Sequence, residues 1–303
     1  MLDFSAYLDA KFALDSRSLN PTVLENLRRA LALRSSLRCL DLGSGKGATI
    51  KRLVDLCPAA SLEITALDLD PGLLTSGAEQ LSQDFQKRGF QILRSATGLV
   101  AQTRTRRISI AFACDSALIW NPGMGEFDLI AAHAFMDLMP LAALCEKVLA
   151  LLKPAGIFYA SLNYDGETAL IPPYPEESLE REILEYYDLS MEQRRLDHAA
   201  TGGAYSGRRL VGALSRSGFE IEAYGASDWE ITPLRGQYRD RDAACLQALL
   251  DMIHAEAQDS GRFNPELLAR WYRERCAAID VVRLGMIVHQ LDILAAKPSS
   301  PAA

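Results

Sequence analysis

The stretch "LRCLDLGSGKGATIKRLV", residues 37–54, places three glycines within five positions, directly after an apolar run that ends in an acid. The apolar run 37–42 predicts a buried strand, and the apolar residues after the glycines recur at helical spacing. A strand, a glycine turn and a helix start present main-chain N–H groups at the carboxyl edge of a parallel sheet, where small polar ligands bind. Gly43, Gly45 and Gly47 therefore predict a close approach to the main chain.

Strand and helix signals alternate along the rest of the chain. The helix starts are marked by prolines, as at Pro21 and Pro71. Apolar runs predict six further strands, within 62–70, 108–116, 127–135, 156–164, 219–225 and 284–295. Strands that alternate with helices form a parallel sheet covered on both faces. The predicted fold class is α/β, a three-layer, doubly wound, seven-stranded and mostly parallel sheet with helical insertions after strands five and six.

The domain organisation follows from where this alternation holds and where it stops. The insertion after strand five is rich in proline and then acidic, and its apolar stripe predicts a lid helix. The predicted parts are an N-terminal helical segment over the cofactor site (1–36), a Rossmann-like core (37–170), the lid (171–204), a C-terminal part of the core (205–295) with a helical insertion at about 240–280, and a disordered tail (296–303).

Composition narrows the function classes. The chain has 303 residues and a formal net charge of −7, which argues against a broad surface for nucleic acid. Six cysteines occur without a C-x-x-C pair, which indicates reduced thiols in a cytoplasmic protein and no metal site. The start of the sequence lacks a secretion signal, and no apolar run is long enough to span a bilayer.

Three ligands compete for the glycine turn. A nucleoside triphosphate needs G-x-x-x-x-G-K-[ST], but Leu40 stands at the first glycine position and Gly47 follows Lys46. A dinucleotide needs G-x-G-x-x-G/A, which Gly43, Gly45 and Ala48 satisfy loosely. An NAD(P)-dependent oxidoreductase therefore remains an alternative. The third ligand is S-adenosylmethionine.

The segment "DLGSGKG", 41–47, resembles the acid-x-G-x-G-x-G signature of class I S-adenosylmethionine-dependent methyltransferases of the small-molecule type. Further segments resemble that family's motifs in the same order: the second-strand acid in "ALDLDPGLL", the adenine-contacting acid in "ACDSALI", the fourth strand in "FDLIAAHAFMDL" and the turn before strand five in "ALLKPAG". The resemblance covers about residues 37–165, with a return at 205–225 and 284–295. It does not identify a subfamily.

The resemblance implies roles for residues at the strand ends. Asp41 would balance the cofactor's ammonium, and Asp68 would accept both ribose hydroxyls. Asp115 would accept from the adenine amino group beside the Ser116 N–H, whereas Asp70 is expected to cap a helix. The cofactor-binding residues implied are Asp41, Gly43, Ser44, Gly45, Gly47, Asp68, Leu69, Asp115, Ser116 and His133.

Acceptor contacts in this family come from the N-terminal segment, the loops after strands four and five and the insertions. His133, at the end of strand four, and Tyr164, at the end of strand five, are the candidate catalytic residues. The candidate substrate-binding residues are Asn163, Tyr164, Tyr187, His198, Tyr205 and Arg208. A lid helix with one apolar face would seal a small, partly apolar acceptor from water, and the helices near 240–280 would complete that cover or form the face of a homodimer.

The resulting hypothesis is methyl transfer from S-adenosylmethionine to a small molecule by direct displacement, with S-adenosylhomocysteine as the product. Such an enzyme chiefly aligns the acceptor and excludes water. Two alternatives stay open beside the oxidoreductase: a non-catalytic S-adenosylmethionine-binding regulatory module, and another chemistry of the same cofactor.

Overall fold

The computed structural model describes residues 4–32, 34–95 and 97–299. The strands in these ranges are β1 (Ser36–Leu42), β2 (Ser61–Asp68), β3 (Gln91–Arg94), β4 (Gly98–Gln102), β5 (Arg107–Cys114), β6 (Phe127–His133), β7 (Leu152–Ile171), β8 (Arg195–Leu196), β9 (Ala199–Ala200), β10 (Glu220–Ala226), β11 (Trp229–Ile231) and β12 (Gly285–Ala296).

The helices alternate with these strands through most of the chain. They are α1 (Phe4–Ser18), α2 (Pro21–Ala32), α3 (Ala48–Leu56), α4 (Pro71–Lys87), α5 (Leu141–Leu151), α6 (Glu177–Glu192), α7 (Ser206–Arg216), α8 (Asp242–Asp259) and α9 (Pro265–Asp280), with one turn of 3-10 helix at Met136–Leu138. The prolines at both predicted starts, Pro21 and Pro71, do open helices.

The sheet confirms the α/β fold class. Its strand order is β10-β12-β7-β6-β1-β2-β5-β4-β3. The strands β7, β6, β1, β2 and β5 run parallel to one another, and β12 is antiparallel to both β7 and β10. The chain moves outward in opposite directions from β1, so the carboxyl ends of β1 and β6 flank a switch point in strand order.

The sheet has ten strands rather than the seven predicted. The additions are the antiparallel hairpin β3–β4, which extends the sheet beyond β5, and β11, which pairs with β12. The hairpin was not predicted, because its strands are only four and five residues long, β3 has no buried residue and the buried residues of β4 are not consecutive. Neither addition lies between the strands of the predicted seven, which are neighbours in the order β10-β12-β7-β6-β1-β2-β5.

Three apolar clusters hold the layers together. One packs α2, α3 and α4 against one face of the sheet, and the second packs α5 and α7 against the other face. The third joins α1, α6, α8 and α9 to β11 and to the ends of β7 and β12 that project beyond the core. The predicted insertions therefore form one helical layer together with the N-terminal helix.

The helix α6 is fixed to α9 by a buried ion pair. Glu180 accepts from Arg275 Nε at 2.6 Å and from Trp271 Nε1 at 2.8 Å. Arg275 also donates to the carbonyl of Pro172, in the turn that leads into α6. All three of the side chains that form this cluster are buried. The predicted lid helix is thus joined firmly to the second insertion.

The C-terminal strand runs slightly further than expected. Ala296 is the last residue of β12, and Lys297 Nζ donates to the carbonyls of Leu149 and Leu152. The rest of the predicted tail, 300–303, lies outside the described residues. Among the described residues, no helix is long and apolar enough to cross a membrane.

Candidate functional site

At two positions of the turn, side chains of the protein itself leave no room for a residue larger than glycine. Gly43 has φ +63°, and a Cβ there would lie 2.3 Å from the Phe135 ring. Gly47 has φ +78°, and a Cβ there would lie 2.7 Å from Leu81. Both positions need glycine for the left-handed backbone and for the close packing.

The turn is tied to the end of β2 through its main chain. Ser44 N donates to the carbonyl of Leu67, and Gly45 N donates to Asp68 Oδ2 at 2.7 Å. Asp68 Oδ1 accepts from Asp70 N at 2.9 Å. Each carboxylate oxygen retains a second lone pair, and Asp68 is half-buried, so both oxygens can accept a further donor from a ligand.

Asp70 has the capping role that the sequence predicted. Its side chain accepts from the N–H groups of Gly72 and Leu73 at the start of α4. The two aspartates therefore have separate tasks: Asp70 stabilises the helix, and Asp68 faces the glycine turn.

Asp41 is a fully buried carboxyl beneath the turn. Burial raises its pKa to about 7, against the opposing hydrogen bonds from Ser44 and Thr49. Ser44 Oγ donates to Oδ2 at 2.7 Å, while Oδ1 has no partner among the described residues. An unpaired buried acceptor is costly, and a cationic donor brought to the turn would satisfy it.

The neighbouring strand ends form an open shelf. Leu69 is 69% exposed, and Cys114 and Asp115 are exposed beside it at the end of β5. Asp115 Oδ1 accepts from the Ser116 N–H at 2.7 Å, so that N–H is already engaged. An apolar surface next to Asp68, with a carboxylate at its rim, suits a planar base that has an amino group.

The helix α1 covers the other end of the turn. Lys46 Nζ donates to Asp9 at 2.7 Å and to the carbonyl of Ser5 at 3.0 Å. Gln80 on α4 donates to the second oxygen of Asp9. Leu8 lies 3.6 Å from the Cβ position of Gly45. The turn is therefore covered at its Gly43–Gly45 end and open at the Asp68–Asp115 end.

His133 lies in a buried network rather than facing a cavity for an acceptor. Its ring nitrogens lie 2.8 Å from Ser161 Oγ and 3.0 Å from Asp15 Oδ2, and Arg52 Nη1 approaches to 3.0 Å. Burial, followed by the charge of Arg52, lowers the pKa of His133 to about 3. The pKa of Asp15 is lowered, because Lys11, His133 and Arg52 together outweigh its desolvation. His133 is therefore neutral at pH 7 and helps to hold α1 down.

Tyr164 and Asn163 are both engaged by the protein. The Tyr164 hydroxyl donates to Asp188 on α6 at 2.7 Å, and burial raises the pKa of this tyrosine. Asn163 Nδ2 donates to the carbonyl of Leu291, while its buried Oδ1 has no partner in the described part of the chain. These contacts connect β7 to the lid helix and to β12.

The remaining predicted acceptor residues are distributed over the helical layer. His198 is exposed, in the turn between β8 and β9. Arg208 makes an ion pair with Asp165 at 3.0 Å and lies over the Tyr205 ring. Tyr187 is half-buried on α6, and Arg194 and Asp137 are its main charged neighbours.

The electrostatic surroundings of Tyr187 include residues that the sequence pattern did not connect with it. Tyr7 on α1 lies among Asp15, Tyr187, Cys245 and Asp137, whose charges add to burial in raising its pKa. A signal for Asp137 existed, since it lies in the 3-10 turn shortly after β6. Tyr7 and Arg194 had no such signal, because only the packing of α1 and α6 brings them to that strand end.

Comparisons with known proteins identify the fold. No protein-family model matches this chain, and no curated protein matches it. Among solved structures, a candidate methyltransferase from Bacillus halodurans has a TM-score of 0.52 at 12% identity, over 91% of this chain and 98% of that one. A methyltransferase from Methanosarcina mazei that depends on S-adenosylmethionine has a TM-score of 0.48 at 14% identity, over 93% and 99%.

A further similar structure contains S-adenosylhomocysteine. Phosphoethanolamine N-methyltransferase 2 from Haemonchus contortus, in complex with phosphomonomethylethanolamine and S-adenosylhomocysteine, has a TM-score of 0.43 at 15% identity. The match covers 91% of this chain, which spans about half of that protein (52%). At such identities the likeness is one of fold, and the fold is that of the Bacillus halodurans protein.

Proposed function

We propose that the protein is a methyltransferase that uses S-adenosylmethionine to methylate a small molecule. The observation that carries this proposal is the link between the Gly45 N–H and the Asp68 carboxylate at the switch point of the sheet. It places two carboxylate oxygens with free lone pairs beside a left-handed glycine turn. A ribose with two adjacent hydroxyls matches that acceptor pair.

The neighbouring residues fit the rest of the cofactor. Leu69 and Asp115 suit the adenine, because an exposed apolar side chain lies beside a carboxylate there. The unpaired Oδ1 of Asp41 lies beneath the turn, where an ammonium group would offset the charge of this carboxyl. S-adenosylmethionine would supply a methyl group on a sulfonium, and the chain's own residues would bind, orient and exclude water.

A small acceptor is favoured by the cover over the site. The described helices α1, α6 and α8 meet above the strand ends through one apolar cluster, and Arg17 on α1 donates to Asp242 on α8 at 2.6 Å. A polymer would need an open groove there. The net charge of −7 adds unfavourable repulsion for a nucleic acid.

Isothermal titration with S-adenosylhomocysteine tests the cofactor site. We expect micromolar binding to the wild type and a loss of roughly ten- to hundredfold in Asp68→Asn, the value of a hydrogen bond to a charged group. Asp70→Asn is a matched control, because it makes the same charge change two residues away and asparagine caps a helix as well as aspartate does. Equal losses in the two variants would contradict the proposal.

The same titration separates the alternatives. Binding of NAD(P) without binding of S-adenosylhomocysteine would indicate an oxidoreductase instead. A protein that binds S-adenosylhomocysteine is then assayed for transfer of a labelled methyl group from S-adenosylmethionine to a pool of small metabolites. Transfer that Asp68→Asn slows at a cofactor concentration below saturation supports an enzyme, and binding with no transfer would favour the regulatory module.

A further inference from the structure

One face of the sheet is open where β1, β2, β5, β4 and β3 lie side by side; it is called the open face. The opposite face of these strands packs against α2, α3 and α4. The second apolar cluster, with α5 and α7, takes no buried residue from β3, β4 or β5, and only Leu67 from β2. The described connection 115–126 between β5 and β6 contains no helix, although crossovers between parallel strands usually do. The open face therefore lacks the helix layer that an α/β fold places on a sheet.

The strand register shows which residues form the open face. One row across the strands, each member paired with the next, consists of Leu93, Val100, Ser109, Glu63 and Arg38. The adjacent row contains Gly98, Ala111 and Thr65. All of these residues are exposed or half-buried, whereas Ile64, Leu99 and Ile110 between them are buried on the other face. This alternation is typical of a sheet with one side in contact with water.

The open face contains a groove of about 430 Å³. Its floor is made of small residues, which are Gly98, Ala111, Ser109 and Thr65. The longer side chains of Leu93 and Arg38 belong to the outer strands β3 and β1. From β1 to β3 the strands span about 19 Å at the usual spacing, and a helix with its side chains is about 10–12 Å wide. The groove therefore has room for one helix.

Positive charge is concentrated in the strands at this end of the sheet. Residues 85–114 contain no acid and six basic residues, which are Lys87, Arg88, Arg94, Arg104, Arg106 and Arg107. The whole chain carries −7, so the remainder carries −13 once these six charges are taken out. Among the ion pairs of the described residues, Arg88 is the one member of the six that takes part. Unpaired positive charge is therefore available to an acidic partner here.

This charge reaches the groove itself. Arg94 lines the groove, and Arg107 lies on the open face at one of its edges. Glu63 is the acid among the lining residues, and Arg38 lies beside it in the register. Arg38 also pairs with Glu126, which leaves Arg94 and Arg107 without an acidic partner in the described part of the chain. The groove therefore favours a partner with acids at its edge and apolar side chains against its floor.

Two other occupants fit the open face less well. A second copy packed face to face would set Arg94 and Arg107 against the same arginines, which is repulsive. A single-stranded nucleic acid binds a sheet by stacking its bases on aromatic side chains. None of the described residues that line the groove is aromatic.

We propose that the open face binds an acidic amphipathic helix of a partner protein. The helix occupies the position that a crossover helix would cover, with its apolar side on Leu93, Val100 and Ala111 and its acids paired with Arg94 and Arg107. This is the helix-in-groove mode of recognition. None of the proposed cofactor-binding residues lines the groove, so this inference does not depend on the proposed methyl transfer.

The test measures binding of labelled peptides to the full chain by fluorescence anisotropy. Each peptide has about 15 residues, enough for a helix as long as these strands. The first has leucine and alanine on one side and glutamate on the other. The second has lysine in place of glutamate, and the third has the composition of the first in an order without an apolar side. We expect the first peptide to bind at least about tenfold more tightly than the others.

Two variants locate the site. Ala111→Glu places a charge on the exposed floor of the groove, and Arg94→Glu reverses a charge in its lining. Each should weaken binding of the glutamate peptide roughly tenfold or more, and Arg94→Glu should strengthen binding of the lysine peptide. Arg273→Glu, the same charge change at an exposed position of α9, is the matched control and should have little effect. If Ala111→Glu does not fold, Arg94→Glu carries the test alone.

Several results would overturn this inference. They are equal binding of the three peptides, no binding of the glutamate peptide, and unchanged binding in both groove variants. Self-association in analytical ultracentrifugation that Ala111→Glu abolishes would show that a second copy covers the open face instead. Tighter binding of a labelled single-stranded RNA that Arg94→Glu abolishes would show a nucleic-acid site instead.

Discussion

Lys46, inside the glycine turn, donates to Asp9 on α1 at 2.7 Å, across 37 positions of sequence. The ammonium of Lys46 is nearly buried, and the same group also donates to the carbonyl of Ser5. The N-terminal helix is therefore fastened directly onto the turn where the cofactor is proposed to bind. Ligand entry at the Gly43–Gly45 end requires α1 to move.

Weakening this contact should speed ligand entry. Asp9→Ala removes the acceptor for both Lys46 and Gln80, so α1 should leave the turn more often. We expect the association rate constant of S-adenosylhomocysteine, measured by stopped flow, to rise between about two- and tenfold, in line with the modest strength of partly exposed ion pairs. Glu25→Gln on α2, which breaks an exposed pair with Arg28 and Arg29, serves as the control. An unchanged rate in Asp9→Ala would show that entry does not depend on α1.

Protonation of His133 on unfolding should make the fold less stable as the pH falls. Its pKa is about 3 in the folded chain and about 6.5 in the unfolded chain, so the unfolded chain binds an extra proton between these values. The stability that neutral His133 contributes is therefore fully present above pH 6.5 and is lost as the pH falls toward 3. Well inside that window, the loss approaches about 1.4 kcal/mol per pH unit from this one group.

Urea unfolding of wild type and His133→Gln at pH 7.5, 5.5 and 4.5 measures this effect. The variant should lose less free energy of unfolding between pH 5.5 and 4.5 than the wild type, by about 1 kcal/mol. Glutamine can still donate to Asp15, so the variant should fold. Parallel pH profiles for the two proteins would mean that His133 is protonated in the folded chain.

The ion pair between Glu180 and Arg275 should be important for stability. Glu180→Gln leaves the Arg275 guanidinium buried without a full counter-charge, and breaking a buried pair costs about 3–5 kcal/mol. Glu176→Gln, at the start of α6, breaks an exposed pair with Arg270 and should cost no more than about 1 kcal/mol. Urea unfolding compares the two. Similar losses of unfolding free energy in the two variants would contradict the conclusion that this ion pair holds α6 to α9.

The close packing at Gly43 can be tested by comparison with Gly125, which has the same backbone conformation. Gly43 and Gly125 have φ +63° and +64°. Beyond the two chain neighbours of Gly125, however, no atom of the described residues lies within 4 Å of a Cβ placed there. Alanine at either site pays the cost of a left-handed backbone, and only Gly43→Ala meets the Phe135 ring. We expect Gly43→Ala to lower the free energy of unfolding by about 1–3 kcal/mol more than Gly125→Ala. Equal losses would mean that Phe135 moves away freely.

The sequence predicted the elements whose signals are local. Buried parallel strands appear as continuous apolar runs, and a proline after a capping residue starts a helix, so β1, β2, β5, α2 and α4 were placed correctly. The role of Asp70 as a cap was likewise confirmed. The hairpin β3–β4 was missed, because its short strands have one exposed face and carry no continuous apolar run.

The surroundings of the site could not be predicted in this way. His133 looked like a candidate base because it ends a strand, yet its partners Asp15 and Ser161 lie 118 and 28 positions away. Burial by α1 decides its protonation, and nothing local encodes that packing. Contacts between distant segments set the chemistry at this edge of the sheet.

A crystal structure of the protein with S-adenosylhomocysteine would show where the cofactor binds. We expect both ribose hydroxyls to donate to Asp68, the adenine to lie on Leu69, and the amino-acid end to lie beside residues 43–47 with its ammonium near Asp41. We also expect α1 to have shifted relative to Lys46. A complex in which Phe135 and Leu8 still cover the turn and the ligand lies away from Asp68 would contradict the account.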